Sequence, residues 1–383
     1  MTMSETEFSH QLRITPTTLS DGRELIYFDD SPAALRGEVT RELVDTRGLP
    51  ETHTDSEMRL DPLTGDWVAY AAHRMNRTFM PPANENPLAP TVPGQLRTEV
   101  PADDYDVVVF ENRFPSFSEH MEVPDDFAHF ADAGHLVARE PALARCEVVC
   151  FTPDPTVSFK DLSEHRIRTI IEVWAHRTAA LSQLPGIAQV FPFENRGAEI
   201  GVTLQHPHGQ IYSYPFLPPR TRNILRQLAD RPTLFEDLLA SELADGKRVI
   251  AETDFFVAFT PAAAKWPVEL MVMPRRHVHT FPELTDAERQ DLAGLLKRLY
   301  TAWDAFFDSV DKTPYIAGWN QAPLTAADSA LGNPADYRLH LNMFSLMRSA
   351  NRMKFLAGSE SAMGVWINDT TPEVIAARFR EVL

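Results

Sequence analysis

Ser158-Phe159-Lys160-Asp161-Leu162-Ser163 and Thr280-Phe281-Pro282-Glu283-Leu284-Thr285 are two versions of one hexapeptide. Each carries apolar residues at its second and fifth positions and closes on a hydroxyl residue of the kind that caps a helix. An apolar stripe at helical spacing follows each one. It is Ile167, Ile170, Ile171, Trp174, Thr178 and Leu181 in the first copy, and Leu292, Leu295, Leu296, Leu299 and Trp303 in the second. Thr285 with Glu288 also fits a capping box. Strand-like runs precede the helices at 147–152 and 269–273. Further strands follow at 188–193 and around His206–His208, and again at 315–319 and 337–344. An internal repeat at this spacing sets the architecture ahead of weaker signals. It predicts an α+β chain of two related units, each a mainly antiparallel sheet packed with helices, forming one pseudo-duplicated chain. The expected organisation is an accessory segment at 1–55, an N-terminal unit at 56–216 and a C-terminal unit at 217–383. Within the accessory segment, Asp21-Gly22 reads as a hairpin turn.

The first copy holds Gln205-His206-Pro207-His208-Gly209-Gln210, and the second holds Leu339-His340-Leu341-Asn342 in the corresponding region. Only the first keeps a full histidine pair. Pro207 pushes His206 toward an extended backbone. On a strand the two imidazoles would then share a side. Gly209 would let the backbone approach a bulky anion, and Gln210 offers an amide to a phosphoryl oxygen. A neutral imidazole is a competent nucleophile toward phosphorus when its other nitrogen is held as a donor. A histidine pair by itself is more often a metal ligand set or a surface feature. The whole pentad, placed after Phe193-Glu194-Asn195-Arg196-Gly197, favours the nucleophile.

The 383 residues contain 36 Lys plus Arg against 54 Asp plus Glu, a net charge of −18. Such a surface argues against nucleic acid and anionic membranes as partners, while leaving room for a local phosphate pocket. No apolar run is long enough for a membrane span, and the N-terminus lacks a signal-peptide pattern. Cys146 and Cys150, four apart on one strand-like run, cannot form a disulfide framework, so a reducing, cytoplasmic setting is expected.

Phe193-Glu194-Asn195-Arg196-Gly197 followed by His206-Pro207-His208-Gly209-Gln210 resembles the galactose-1-phosphate uridylyltransferases of the histidine-triad superfamily. The likeness runs from about Arg59 to the C-terminus. It takes in Asp61 to Trp67 with Arg74 and Arg77, the Phe110 to Phe114 loop, Ala317-Gly318-Trp319, and Arg348 to Glu360. The resemblance implies histidine-triad-like units and a uridylyltransferase acting on UDP-glucose and galactose 1-phosphate through His208, with His206 and Gln210 as catalytic partners. It assigns Asn195 and Thr203 to phosphoryl oxygens, and Arg74 and Arg77 to phosphate or nucleotide. Asn112, Arg113 and Phe114 fall to uridine, and Lys354, Phe355 and Glu360 to the sugar phosphate. It further implies a homodimer with sites near the subunit interface.

Two departures bear on metals. Many members of the family it resembles hold a structural zinc with two cysteines and the first histidine of the pentad; here Asn86 and Ala89 stand at the cysteine positions. Alanine is no ligand, so no tight zinc is expected and no cofactor is required. A second metal site of some relatives lacks its histidines at Asn320 and Asn342, leaving His340. An adenylyl-transferring relative and a catalytically silent nucleotide-binding homologue are the competing expectations. Gly209 disfavours the first, and the intact pentad disfavours the second.

Overall fold

The computed structural model describes residues 10–51, 54–71, 81, 85–121, 136–326 and 330–383. The repeat is realised as one continuous antiparallel sheet. Its strands in chain order are β1 (Arg13–Thr18), β2 (Glu24–Asp29), β5 (Val107–Glu111), β7 (Cys146–Cys150), β8 (Gln189–Arg196) and β9 (His208–Tyr214) in the first half. The second half supplies β10 (Val249–Glu252), β11 (Phe256–Phe259), β12 (Val268–Pro274), β13 (Tyr315–Asn320) and β14 (His340–Ser345). A small separate sheet joins β3 (Glu57–Leu60), β4 (Trp67–Tyr70) and β6 (Arg139–Pro141).

The eleven strands lie in the order β1-β2-β5-β7-β9-β8-β13-β14-β12-β11-β10. Read outward from the β8–β13 pair, β9, β7 and β5 on one side match β14, β12 and β11 on the other. The order is therefore a palindrome about that pair, as expected of a duplicated unit with a two-fold relation. The seam is tight. Gly318 faces Phe193 across it, and a Cβ on Gly318 would stand 2.5 Å from the Phe191 ring. The segment before residue 55 is part of this sheet rather than an appendage, because β2 pairs with β5. Asp21-Gly22 turns between β1 and β2 as expected, with Gly22 at positive φ.

The two repeat helices, Glu164–Leu181 and Asp286–Asp304, pack together on one sheet face. Their starts follow from local chemistry. The Ser163 hydroxyl accepts from the Arg166 N–H, and Thr285 with Glu288 forms the reciprocal capping box. Arg168 pairs with Asp286 at 2.9 Å and Arg289 with Glu172, joining the helices electrostatically. Trp174, Phe281, Trp319 and Trp303 fill the space beneath them. Burial of such apolar area contributes roughly 25 cal/mol per Å² and dominates the stability of this layer.

The opposite sheet face is covered differently in each half. Over β5 and β7 lies a cluster of Leu25, Tyr27, Tyr105, Val108, Phe110 and Cys150. Over β11 and β12 lie Leu225, Leu228, Phe235 and Leu239, from helices Pro219–Asp230 and Leu234–Asp245. The repeat does not anticipate this helix pair. No described helix is long and apolar enough to cross a membrane.

Candidate active site

β9 begins at His208, not at His206. The two imidazoles therefore do not alternate along one strand, and they do different things. The His208 Nδ1–H donates to the His206 carbonyl at 2.7 Å. This fixes the tautomer and leaves Nε2 as the unprotonated, nucleophilic nitrogen. Burial holds the His208 pKa below its ordinary value, so the ring stays neutral.

The His206 side chain is buried and turned into a polar cage. Its Nε2 lies 2.7 Å from the Thr152 carbonyl and 3.0 Å from the Tyr105 hydroxyl. Its Nδ1 lies 3.0 Å from Asn86 Nδ2. Burial pushes its pKa down to about 4.

These rings sit in the wall of a cleft of about 710 Å³ at the end of β8 and the start of β9. The Ser158 loop, Glu194 to Glu199, Val202, Leu204, Lys312 and Pro314 complete the wall. A concave site with few convergent polar groups is the usual form of a small-molecule pocket. Asn195 lines the cleft, and its buried Oδ1 has no protein partner. Glu194 lies on the helix face of β8. Its Oε1 accepts from the Tyr315 hydroxyl at 2.7 Å, while Oε2 has no partner. Burial pushes its pKa up to about 7. Neighbouring Arg196 is held by Asp304 and lies over the Tyr315 ring at 4.4 Å.

The glycines of the site act through packing. A Cβ on Gly209 would stand 2.8 Å from the Phe151 ring and 3.0 Å from the Phe193 carbonyl. Gly209 is thus required by the packing of the sheet itself. Gly197 has φ of 114°, and a Cβ there would meet Pro314 at 2.6 Å.

The expected site residues are only partly brought together. His206, His208 and Asn195 line the cleft. Gln210 follows on β9, half-buried opposite Phe193. Thr203 is half-buried between two lining residues. The Asn112–Phe114 loop, expected to contact uridine, does not line it. There the Asn112 Oδ1 accepts from the Phe114 N–H at 2.9 Å, and Arg113 lies over the Phe114 ring and 3.7 Å from Glu99. Lys354, 3.5 Å from Glu360, is also absent from the wall, and Phe355 is 81 % exposed. Arg74 and Arg77 fall outside the described residues. Sequence reasoning missed Glu194 and Lys312. Glu194 sits inside a motif that drew attention for its asparagine, whereas Lys312 carries no sequence signal.

The residues present do not fit a structural zinc. Asn86 Nδ2 occupies the side of His206 Nδ1 from which a metal would bind, and Ala89 offers a methyl group. Elsewhere among the described residues, the one grouping of metal-ligand type is His10, Asp30 and His165. There the Asp30 carboxylate already accepts from Arg166 and Thr169, so it reads as an ion-pair cluster that ties residue 10 to the first repeat helix.

Residues 49–218 match the family model "Galactose-1-phosphate uridyl transferase, N-terminal domain", and residues 223–383 match its C-terminal counterpart. A galactose-1-phosphate uridylyltransferase of Streptomyces lividans is 42% identical over 379 residues, covering 97% of this chain and 98% of that protein. One from Thermotoga maritima is 32% identical, covering 85% and 98%. A solved structure titled "Structure of uridylyltransferase" superposes with a TM-score of 0.71 at 32% identity, covering 85% of this chain and 98% of the other.

Proposed function

The chain belongs to the galactose-1-phosphate uridylyltransferase family and is a nucleotidyltransferase. From that premise we propose that it moves a uridylyl group from UDP-glucose to galactose 1-phosphate in ping-pong order, through a covalent intermediate on His208.

The observation that carries this reading is the His208 tautomer. With Nδ1–H committed to the His206 carbonyl, the Nε2 lone pair is the ring's nucleophile. In the first step Nε2 bonds to the α-phosphorus of UDP-glucose. The bond from that phosphorus to the bridging oxygen breaks, and glucose 1-phosphate leaves with the electron pair. The leaving group is a stable phosphate, so no proton need be delivered to it. In the second step a phosphate oxygen of galactose 1-phosphate attacks the same phosphorus, the P–N bond breaks, and UDP-galactose leaves. His208 is regenerated neutral. The Asn195 Nδ2 and Gln210 Nε2 amides would donate to the phosphoryl oxygens where charge accumulates, and Lys312 at the cleft wall would meet the phosphate of donor or acceptor. Thr203 is assigned the remaining phosphoryl contact. The reading needs no cofactor.

The uridine and sugar-phosphate residues fit a homodimer with sites near its interface. The exposed segment Phe355, Met363, Val365 and Ile367 is an apolar surface that a second copy would cover. Across such an interface Arg74 and Arg77 would serve the partner's cleft, whereas Lys354 and Glu360, buried against each other beside exposed Phe355, would hold that surface in shape. The compartment in this reading is the cytoplasm.

Incubation with UDP-glucose labelled in its α-phosphate tests the central step. The expected result is an acid-labile, base-stable uridylyl-protein adduct that galactose 1-phosphate discharges. A protein that binds UDP-glucose without forming the adduct, or an adduct that persists in His208→Asn, overturns the assignment.

A further inference from the structure

We propose that Asn86 is a positioning residue that fixes the tautomer of His206, and through it the aim of His208, in the place where relatives use a metal ion. The proposal rests on His208 as the nucleophile.

A backbone N–H orients the Asn86 side chain. The Leu88 N–H is satisfied by Asn86 Oδ1 at 3.0 Å. That bond decides which way the Asn86 amide faces, because only the oxygen can accept it. Nδ2 is therefore the end directed at His206, 3.0 Å from Nδ1. An amide N–H needs an acceptor, so Nδ1 must carry its lone pair and Nε2 must carry the proton. The other side of the ring agrees independently. Nε2 lies 2.7 Å from the Thr152 carbonyl, which can only accept. The Tyr105 hydroxyl stands 3.0 Å from the same nitrogen and 2.9 Å from the same carbonyl, so it can donate to Thr152 while its own oxygen faces Nε2–H. Both ring nitrogens are thus occupied by partners of opposite demand.

The chain of contacts then reaches the cleft. His206 is clamped between Asn86 on one strand-free segment and Thr152 after β7. Its backbone carbonyl, held with it, accepts the His208 Nδ1–H at 2.7 Å. Pro207 separates the two histidines, and its carbonyl accepts the Phe151 N–H at 3.3 Å, fixing the backbone between them. A ring locked in this way holds the nucleophile's orientation with hydrogen bonds alone. A zinc ion on Nδ1 would need that lone pair at roughly 2.0–2.1 Å, and the amide already takes it.

The experiment uses the full-length protein with ¹⁵N-labelled histidine and reads the ring nitrogen shifts of His206 directly. The wild type is expected to show a protonated Nε2 and a bare Nδ1. It is also expected to contain less than about 0.1 zinc per chain after chelator dialysis, with an unchanged rate of uridylyl-adduct formation. Asn86→Asp, whose carboxylate can only accept, should move the proton onto Nδ1 or charge the ring. Asn86→Ala should slow adduct formation about 10-fold while the KM for UDP-glucose changes less than about twofold, the size usual for an orienting partner. A wild type with Nδ1 protonated overturns the proposal, as does one zinc per chain lost together with activity. An Asp variant with wild-type shifts and rate overturns it too. The shift and zinc measurements do not depend on the adduct, so failure of His208 as the nucleophile would be seen separately. They also stand if the Ala variant does not fold.

Discussion

β9 and β14 occupy equivalent places in the two halves, and each opens on a histidine. His208 donates from Nδ1 to the carbonyl two residues back at 2.7 Å, and His340 does the same to Arg338 at 2.8 Å. By posture His340 is the counterpart of His208, not of His206 as the linear motifs suggest. What differs is the cover. His208 lines an open cleft, whereas His340 is 1 % exposed beneath Phe235 and Tyr337, whose ring centres lie 5.4 and 5.8 Å away. Burial and Arg220 push the His340 pKa down to about 3. The residue after each histidine also differs, Gly209 against Leu341. The backbone geometry that aims an imidazole is thus common to both halves. Access to the ring depends on what is laid over it.

Substitutions at and beside the two histidines separate aim from access. His208→Asn should reduce uridylyl transfer at least about 1,000-fold, measured as adduct formation and turnover, because it removes the bond-forming atom. Gly209→Ala should destabilise the fold by about 1–3 kcal/mol in denaturant titrations, since the added methyl meets the Phe151 ring and the Phe193 carbonyl. Leu341→Ala, at the matching position of a half that accepts a side chain, should cost a cavity instead. His340→Ala should lower stability by roughly 1–3 kcal/mol and leave adduct formation per folded molecule unchanged. A loss of transfer equal to that of His208→Asn would show that the second half is not silent.

The smallest effect is a pH dependence on the helix side of the cleft. Glu194 has a folded pKa raised to about 7 against an ordinary value of 4.5. Between those values the folded protein keeps a proton that the unfolded chain has released. Stability should therefore fall as pH rises through this window. Glu194→Gln removes the difference, so the gap in melting temperature between variant and wild type should widen in the variant's favour from pH 5 toward 7. A constant gap would mean that Glu194 is ionised throughout.

The features legible in the sequence are those encoded locally. Helix caps at Ser163 and Thr285 and the stripes behind them need no tertiary information, and the pentad carries its chemistry in five consecutive residues. Four features escaped because they depend on distant partners. Asn86 gains its meaning only from Leu88 and His206. The packing demand on Gly209 comes from the Phe151 ring and the Phe193 carbonyl, far from it in sequence. The helix pair at 219–245 has ordinary surface-helix spacing, and nothing in it announces that it will close the second half. Likewise the strand-to-strand joining of β8 and β13 is invisible to patterns read along the chain.

That joining has a consequence for synthesis. A ribosome delivers β8 more than a hundred residues before β13. Until then the first half presents β8 as a bare sheet edge, carrying Phe191 and Phe193, with its ladder groups unpaired. Such an edge templates self-association. A truncated chain ending near residue 216 should therefore aggregate or swap strands with its copies rather than fold as a soluble half-molecule.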